Sequence, residues 1–469
     1  MSDVSSKQIV NETQRRRREL LNKLPSDCVV VIPASREVVR SRDTHFAFRQ
    51  DSDFFYLTGI QEPDAVLVLA PSHKYQELLY VLPKDPLQEV WHGRRLGCEQ
   101  AQALSGVDRA YELDQLEPQL LQLLNGQQSL YFAFDQHPEH EAILRRLCKQ
   151  LADTPKRAKT APQALCDIRP LLHQMRLIKS AFEQQQMRTA ADISAQGMIR
   201  AMEITQPGRY EYQIAAELEY VFKWAGAAGP AYGIICGGGE NACILHYTEN
   251  SAPLRDGDLL LIDAGAEYAG YAGDISRTFP VNGVFSQAQR DVYELVLRAQ
   301  EAVLAAIKPG SSLPELTNIC LRELTIGLLE LGVLSGNLTD NLASQACRKY
   351  LIHGLGHWLG LDVHDVGYYD EQGTPTKFVA GMVFTVEPGL YFAPDDDSVP
   401  AQYRGIGVRI EDDILVTATG YENLTASVPK QIDDIEALMA AAQAKREAKR
   451  EASSLDQASS LRQNMTEVG

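Results

Sequence analysis

Two aspartates lie close together in the segment 259–279, which reads LLLIDAGAEYAGYAGDISRTF. An apolar run typical of a buried strand ends at Asp263, and Asp274 opens the return strand after a glycine-rich bend. In a regular hairpin the two residues are nearly opposite, with Cβ atoms about 5 Å apart. Two carboxylates at that distance repel unless one is protonated or a cation lies between them, and a metal ion is the simplest solution. The alternative is that Asp263 caps a turn and Asp274 is solvated, and the hairpin alone favours neither interpretation.

Two glutamates occur in similar settings further along the chain. Glu387 ends the strand-like run MVFTVE and is followed by Pro388, which stops a β-ladder. A carboxylate at the inner end of such a strand needs a partner, because an unpaired buried charge costs several kcal/mol or more. Glu411, in GIGVRIEDDILV, shares a strand face with Arg409. A surface ladder of these two residues is the alternative, but the apolar flanks argue against full exposure.

Four of the ten histidines lie near these carboxylate segments. His246 follows CGGGEN, His353 and His357 belong to HGLGH, and His364 comes shortly after. The spacing of His353 and His357 matches that of two zinc ligands on a metalloprotease helix. The intervening Gly-Leu-Gly disfavours a helix, and the glutamate of that motif is missing. We therefore expect a glycine-rich turn from which the histidines reach a shared site.

Four carboxylates and one imidazole would form a site rich in oxygen ligands. Two divalent cations would neutralise the four negative charges, and manganese or another hard first-row ion suits such ligands better than a thiolate-type zinc site. Two ions about 3.5–4 Å apart can hold a bridging hydroxide and polarise a carbonyl, the usual arrangement for metal-assisted hydrolysis.

Size and composition limit the classes of protein that need to be considered. The chain has 469 residues, of which 45% are hydrophobic, and this length predicts two domains. Its net charge of −17 argues against nucleic acid as a partner. The eight cysteines form no CxxC pair and are typical of reduced thiols in a cytosolic protein. The first residues do not resemble a secretory signal, and no run approaches the roughly 20 apolar residues of a membrane helix, so we expect a cytoplasmic protein without membrane contact.

The pattern of elements divides the chain into two folded parts. Strand-like runs at 28–33, 65–70, 78–83 and 129–134 alternate with helical stretches at 116–124 and 139–151, which predicts an α/β domain. The segment 153–164 is typical of a linker. Helices predicted at 210–224, 286–307 and 313–331 then alternate with strand pairs. From residue 436 the chain is rich in Ala and charge, which predicts a frayed helix and then a disordered tail.

Several long motifs resemble a known enzyme family. They are FRQDSDFFYLTG, EVWHGRRLG, GGGENACILHYTENS, DGDLLLIDAGAEYAGYAGDISRTFPVNG, HGLGHWLGLDVHDVG, TVEPGLYF and QYRGIGVRIEDDI. Together they resemble the pita-bread metallopeptidases and, within them, the bacterial Xaa-Pro aminopeptidases (aminopeptidase P), from about residue 10 to about 440. The resemblance implies an N-terminal α/β domain with a mixed sheet at 1–172 and an α+β pita-bread catalytic domain at 173–440. The segment 441–469 is not part of the family pattern, and its composition predicts a disordered tail.

The resemblance also implies a metal site. The five ligands it implies, with no departure from the family pattern, are Asp263, Asp274, His357, Glu387 and Glu411. They would bind two metal ions, usually manganese, with Asp274 and Glu411 bridging the pair. Asp263 would complete the shell of one ion, and His357 with Glu387 that of the other.

The reaction implied by the resemblance is release of the N-terminal residue from peptides with proline in second position. A bridging hydroxide would attack the scissile carbonyl, and Glu387 would act as general base. His246, His353 and His364 would surround the scissile peptide, hold its carbonyl and help to move the proton.

Three more residues match positions that support the substrate in this family. Tyr391 and Arg409 would support the site, and Trp91 would reach the proline side of the substrate from a neighbouring subunit of a homotetramer, a dimer of dimers. An indole packed on its own domain is the alternative for Trp91. Prolidase, which acts on Xaa-Pro dipeptides, is the nearest alternative function, and a non-catalytic pita-bread binding module is a more distant one.

Overall fold

The chain folds into two compact units, Met1–Arg176 and Leu177–Gly469, in a computed structural model that describes residues 6–157 and 159–466. The helix that ends the first unit, Arg169–Leu177, contains the boundary predicted between residues 172 and 173. That exact boundary stays a prediction.

The first unit contains seven helices and eight strands within its described residues. The helices are α1 Ser6–Lys23, α2 Ser52–Thr58, α3 Pro86–His92, α4 Gly97–Ser105, α5 Leu116–Leu124, α6 Pro138–Ala152 and α7 Arg169–Leu177. The strands are β1 Cys28–Pro33, β2 Val39–Ser41, β3 Thr44–His45, β4 Val66–Leu69, β5 Glu77–Val81, β6 Arg109–Glu112, β7 Ser129–Phe132 and β8 Ala164–Asp167.

Six of these strands form one mixed sheet in the order β6-β5-β4-β1-β7-β8. The strands β1, β4 and β5 pair antiparallel, and the outer pairs β1–β7, β7–β8 and β5–β6 are parallel. One sheet face packs on α5 and α6 through residues such as Val29, Val68, Leu120 and Leu147. The predicted strand runs and the mixed sheet are therefore both present.

The second unit contains the remaining helices and strands of the described chain. The helices are α8 Ala181–Ile204, α9 Glu211–Trp224, α10 Gln287–Ala306, α11 Leu313–Glu330, α12 Leu338–Ala343 and α13 Ile432–Thr466. The strands are β9 Gly229–Pro230, β10 Ile235–Gly238, β11 Leu259–Asp263, β12 Ala266–Tyr268, β13 Tyr271–Ala272, β14 Ser276–Pro280, β15 Asp370–Glu371, β16 Thr374–Pro375, β17 Val383–Val386, β18 Gly389–Tyr391, β19 Gly407–Arg409, β20 Asp412–Val416 and β21 Tyr421–Asn423.

Short sheets of three or two strands form the centre of this unit, in the orders β10-β11-β14, β13-β12-β9, β17-β20-β21 and β18-β19. Their apolar faces and those of α8, α9, α10 and α11 belong to one continuous core that includes Met198, Leu218, Val296 and Leu324. The helices predicted at 210–224, 286–307 and 313–331 are confirmed, with ends that differ by a residue.

The two aspartates of the hairpin are nearly opposite, as expected, but they are not a direct pair and are offset by two residues. Asp263 in β11 pairs with Ser276 in β14, and Asp274 lies before that strand begins. The cause is the position of the turn. Tyr268 pairs with Tyr271, so the chain turns at Ala269 and Gly270, which both have positive φ, and the partner of Asp263 moves two residues beyond Asp274. The strands also approach closely near the base of the hairpin, where a Cβ on Gly265 would lie only 1.6 Å from the carbonyl oxygen of Gly273.

The last helix, α13, extends to Thr466, across most of the range 441–469 for which the sequence predicts a disordered tail. The segment is rich in Ala, Lys and Glu, residues with high helix propensity. Disorder of the tail stays a prediction. None of the helices in the described part of the chain combines the length and apolar character that crossing a membrane requires.

Candidate active site

The acidic residues singled out in the sequence lie at strand ends that meet in the second unit. Asp263 is the last residue of β11, and Asp274 precedes β14, the antiparallel neighbour of β11. Glu387 follows β17 directly, and Glu411 directly precedes β20, which pairs with β17. A backbone hydrogen bond from the Glu411 N–H to the Ser276 carbonyl joins the two strand pairs.

The segment with His357 is a glycine-rich turn rather than a helix, as expected. The His357 N–H donates to the Thr385 hydroxyl, and the Thr385 N–H donates to the His357 carbonyl. Gly356 permits this approach, because a Cβ there would lie 1.8 Å from the Thr385 carbonyl oxygen. The turn is thereby fixed against β17, next to Glu387.

These strand ends and turns enclose a cavity of about 530 Å³. Its charged and imidazole lining consists of Asp263, Asp274, Glu387, Glu411, His246, His353, His357, His364 and Arg409. Nine of the eleven residues predicted for the site therefore line one cavity. Tyr391 lies behind it and contacts two of its residues, whereas Trp91 belongs to the other unit.

Three of the predicted metal ligands offer atoms within 4.8 Å of one another: Asp274, His357 and Glu411. The His357 Nε2 atom lies 3.4 Å from Asp274 Oδ2 and 3.6 Å from Glu387 Oε1. Carboxylate oxygens and an imidazole nitrogen are the ligands that divalent first-row metal ions take. The donor set therefore fits such ions.

The electrostatics of the carboxylates lead to the same conclusion. Burial, together with the charge of neighbouring carboxylates, raises the pKa of Asp263 and, to well above its ordinary value, that of Glu411. Burial also raises the pKa of Glu387 to about 7, against the opposing charges of His357 and Arg409. A cation among these groups would remove the repulsion.

Tyr232 connects the two aspartates of the hairpin. Its hydroxyl oxygen lies 2.5 Å from Asp263 Oδ1 and 2.5 Å from Asp274 Oδ1. A hydroxyl has one proton to donate, so it donates to one carboxylate at a time. The two acidic side chains are thereby held at a common point although they are not opposite in the ladder.

Arg409 supports the same group from the other side. Its guanidinium donates to Asp263 Oδ2 at 2.6 Å, to the Tyr391 hydroxyl at 2.9 Å and to the Ser276 hydroxyl at 2.8 Å. Ser276 in turn donates to Glu411 Oε2 at 2.7 Å. The buried guanidinium thus orients two predicted ligands, Asp263 directly and Glu411 through the Ser276 hydroxyl.

The histidines differ in their charge state. Burial opposes a proton on His357, but hydrogen bonding to Asp274 and the charge of that carboxylate outweigh it and raise the pKa of His357 to about 9. Burial, and then the charge of Arg409, lowers the pKa of His353 to about 4, and its Nε2 lies 2.8 Å from the Tyr391 hydroxyl. Burial also lowers the pKa of His364, whose ring centroid is 4.3 Å from that of His357.

Three residues of the site were missed in the sequence. Ser276 has the same strand parity as Asp274, which is a signal that could have been used. Asp413 is buried and accepts from the Asp274 N–H at 3.1 Å, and it follows Glu411 on the same predicted face. Tyr232 lies far before Asp263 in a stretch without periodic pattern, so no local signal identifies it.

Trp91 lies on α3 in the first unit, where its side chain is 76% exposed. The indole is therefore not packed into its own domain, which was the alternative. What the indole contacts in an assembly stays a prediction.

Two family models match this chain. The model for metallopeptidase family M24 matches residues 185–418, and the model for the aminopeptidase P N-terminal domain matches residues 13–131. All residues that line the cavity fall within the first of these matches.

Similar proteins and structures extend over nearly the whole chain. The Xaa-Pro aminopeptidase of Escherichia coli K12 is 48% identical over 445 residues, which cover 94% of this chain and 99% of that protein. The structure of the Pseudomonas aeruginosa aminopeptidase PepP superposes with a TM-score of 0.92 at 43% identity and covers 95% of this chain and 100% of its own. A zinc-substituted E. coli aminopeptidase P in complex with product gives a TM-score of 0.91 at 48% identity, over 94% of this chain and 99% of its own.

Proposed function

Because the chain belongs to metallopeptidase family M24 and carries an aminopeptidase P N-terminal domain, we propose that it releases the first residue from peptides whose second residue is proline. The family membership confirms the resemblance and both predicted fold classes. The observation that carries the proposal is the single cavity in which four carboxylates, four imidazoles and Arg409 meet.

Divalent metal ions are the cofactor that the family and the carboxylate cluster indicate. We propose two ions, with manganese as the metal, and the ligands Asp263, Asp274, His357, Glu387 and Glu411. When bound, such ions polarise a scissile carbonyl and lower the pKa of water. The fit of the donor set and the raised pKa values of the carboxyls support this assignment.

Glu387 is the residue proposed to accept and deliver the proton. A general base must lie within reach of the proton that it takes, and Glu387 lines the cavity with its carboxylate 3.6 Å from the Nε2 atom of His357. Its carboxylate lies 3.6 Å from His353 Nδ1, so a histidine is within reach for onward transfer. The proton would go to the departing proline nitrogen.

His246, His353 and His364 are proposed to hold the scissile peptide. With a pKa of about 4, His353 is neutral at pH 7 and can both donate and accept a hydrogen bond. Tyr391 and Arg409 keep this group in place through the bonds described above. Proline is distinguished because its peptide bond carries no N–H, so the site need not supply an acceptor for one.

Three features of the whole protein are also proposed. A homotetramer built as a dimer of dimers and a contribution of Trp91 to the substrate site of a neighbouring subunit rest on the family resemblance, and a cytoplasmic location rests on the cysteine pattern. The exposure of Trp91 is compatible with that contribution. Sedimentation velocity of the metal-loaded protein would measure the assembly.

A matched pair of substrates tests the function. Metal-stripped protein is given an Xaa-Pro dipeptide or an Xaa-Pro-Xaa tripeptide, with and without manganese, and the same peptides with alanine for proline are the control. We expect manganese-dependent cleavage that favours the proline tripeptide. Cleavage of the dipeptide alone would indicate a prolidase, and absence of any cleavage would indicate a non-catalytic binding module.

A further inference from the structure

A buried carboxylate outside the cavity lies beneath the loop that carries His246. Glu211 is the first residue of α9, and its side chain is fully buried. We propose that Glu211 is a positioning residue that fixes the loop 238–252 and so places His246 at the substrate. This inference rests on the proposed function of His246 as a substrate contact.

The carboxylate of Glu211 joins the two ends of this loop. Its Oε1 atom accepts from the Gly238 N–H at 2.8 Å and from the Asn241 side-chain amide at 3.0 Å. Its Oε2 atom accepts from the Tyr247 hydroxyl at 2.8 Å and from the Ala252 N–H at 2.8 Å. One side chain therefore closes an irregular segment that has few ladder bonds of its own.

The link from this anchor to His246 is short. Tyr247 follows His246 directly, and its ring packs in a buried cluster that includes Leu261 and Tyr391. His246 itself is exposed and lines the cavity. The backbone at His246 is thus held by its buried neighbour, while the imidazole is free to face the substrate.

The charge of Glu211 matters for this role. Two carboxylate oxygens offer about four acceptor positions, and four donors occupy them. The start of a helix also favours a negative charge, because the first N–H groups are unpaired and the helix dipole is positive there. A glutamine would present an amide N–H₂ to one of these two pairs of donors, and the backbone N–H of that pair, Gly238 or Ala252, would lose its acceptor.

The test compares Glu211→Gln with the wild type. We expect kcat/KM to fall by about tenfold to hundredfold, mainly through a lower kcat. A misplacement of about 1 Å near the reacting atoms lowers the rate by that factor. The bound metal should be unchanged, since Glu211 contacts none of the proposed ligands. Glu219→Gln is the matched control on the same helix, where the carboxylate pairs with Lys223 at the surface, and it should leave kcat/KM unchanged.

A double-mutant cycle separates positioning from a general structural effect. In a His246→Ala background, Glu211→Gln should cause little further loss, because the imidazole that it positions is gone. Equal losses in both backgrounds, or no loss in the wild-type background, would overturn the proposal. If Glu211→Gln fails to fold, Tyr247→Phe is the second variant, because it keeps the ring and removes one donor to Glu211. It should lower kcat/KM by a smaller factor than Glu211→Gln, and again only when His246 is present.

Amide hydrogen exchange gives a readout that does not need activity. Exchange across 238–252 should be faster in Glu211→Gln than in the wild type, with α10 unchanged, and equal exchange would contradict the anchoring. A wild-type protein that cleaves no peptide would refute the proposed function, whereas the exchange result would still decide whether Glu211 fixes the loop.

Discussion

At the scale of single residues, burial of Glu387 has a consequence for stability. Burial raises its pKa to about 7, whereas a glutamate in an unfolded chain titrates near 4.3. Between these values the folded, metal-free protein holds a proton that the unfolded chain has released. The free energy of unfolding therefore decreases as the pH rises through this window.

Glu387→Gln removes this titration, because an amide does not ionise. In chelator, we expect the variant to be more stable than the wild type at pH 8, by on the order of 4 kcal/mol, and nearly equally stable at about pH 4. Denaturant unfolding at both pH values measures the difference. Glu371→Gln, at an exposed position, is the control, and a difference for Glu387→Gln that did not vary with pH would contradict the argument.

Arg409 supports a second prediction at this scale, because one guanidinium serves Asp263, Tyr391 and Ser276 at once. A lysine ammonium cannot reproduce the planar fork of donors. Arg409→Lys should lower kcat/KM or metal affinity by about tenfold to hundredfold, the usual effect of losing a group that orients metal ligands. Steady-state kinetics with metal titration measures both, and unchanged values would refute the role.

The control for Arg409→Lys is the same substitution at a surface position. Arg298 on α10 pairs with Glu330 and is largely solvated. Exposed ion pairs contribute little, so Arg298→Lys should leave kinetics and metal affinity unchanged.

At the scale of elements, periodic patterns in the sequence predict the strands and helices but not the register of the hairpin. The strands 28–33 and 129–132 and the helices α9 to α11 follow apolar periodicity, and they are found close to their predicted ends. The pairing of Asp263 with Ser276 instead of Asp274 follows from the position of the turn at Ala269 and Gly270. The segment also contains Gly265 and Gly273, and apolar periodicity does not say at which glycine the chain turns.

The same limit applies to the site. Ligand-type residues at strand ends could be recognised one by one, and their geometry is compatible with the predicted cluster. Tyr232 could not, since its bond to Asp263 joins residues 31 positions apart. The role of Tyr232 can be identified only once the fold brings its hydroxyl next to Asp263.

The crossing of the hairpin gives a prediction at this scale. Gly265→Ala would place a methyl group 1.6 Å from the Gly273 carbonyl oxygen, so the two backbones must separate. We expect a loss of about 3 kcal/mol or more in stability and a weaker metal site, because Asp263 and Asp274 flank the crossing. Unfolding and metal content measure the two effects. Gly420→Ala, where a Cβ meets no atom within 4 Å, is the control, and similar behaviour of the two variants would contradict the argument.

At the scale of the whole molecule, the described lining of the cavity comes from the second unit alone, and four of its groups are acidic. The chain as a whole carries a net charge of −17. Repulsion among the buried carboxylates therefore destabilises the native state until cations bind. Those cations have little affinity for the unfolded chain. Metal binding and folding are coupled through this site.

Manganese should consequently stabilise the full-length protein in a concentration-dependent way. At a free concentration one hundred times the dissociation constant, one site adds about 2.7 kcal/mol, and the melting temperature of the stripped protein should rise steadily with added metal. Asp274→Ala removes one of the carboxylates closest to His357 and should abolish most of that rise. Asp395→Ala, at an exposed position, should respond to manganese as the wild type does. An equal rise in Asp274→Ala would show that manganese binds elsewhere on the acidic surface, and the proposed ligands would then have to be abandoned.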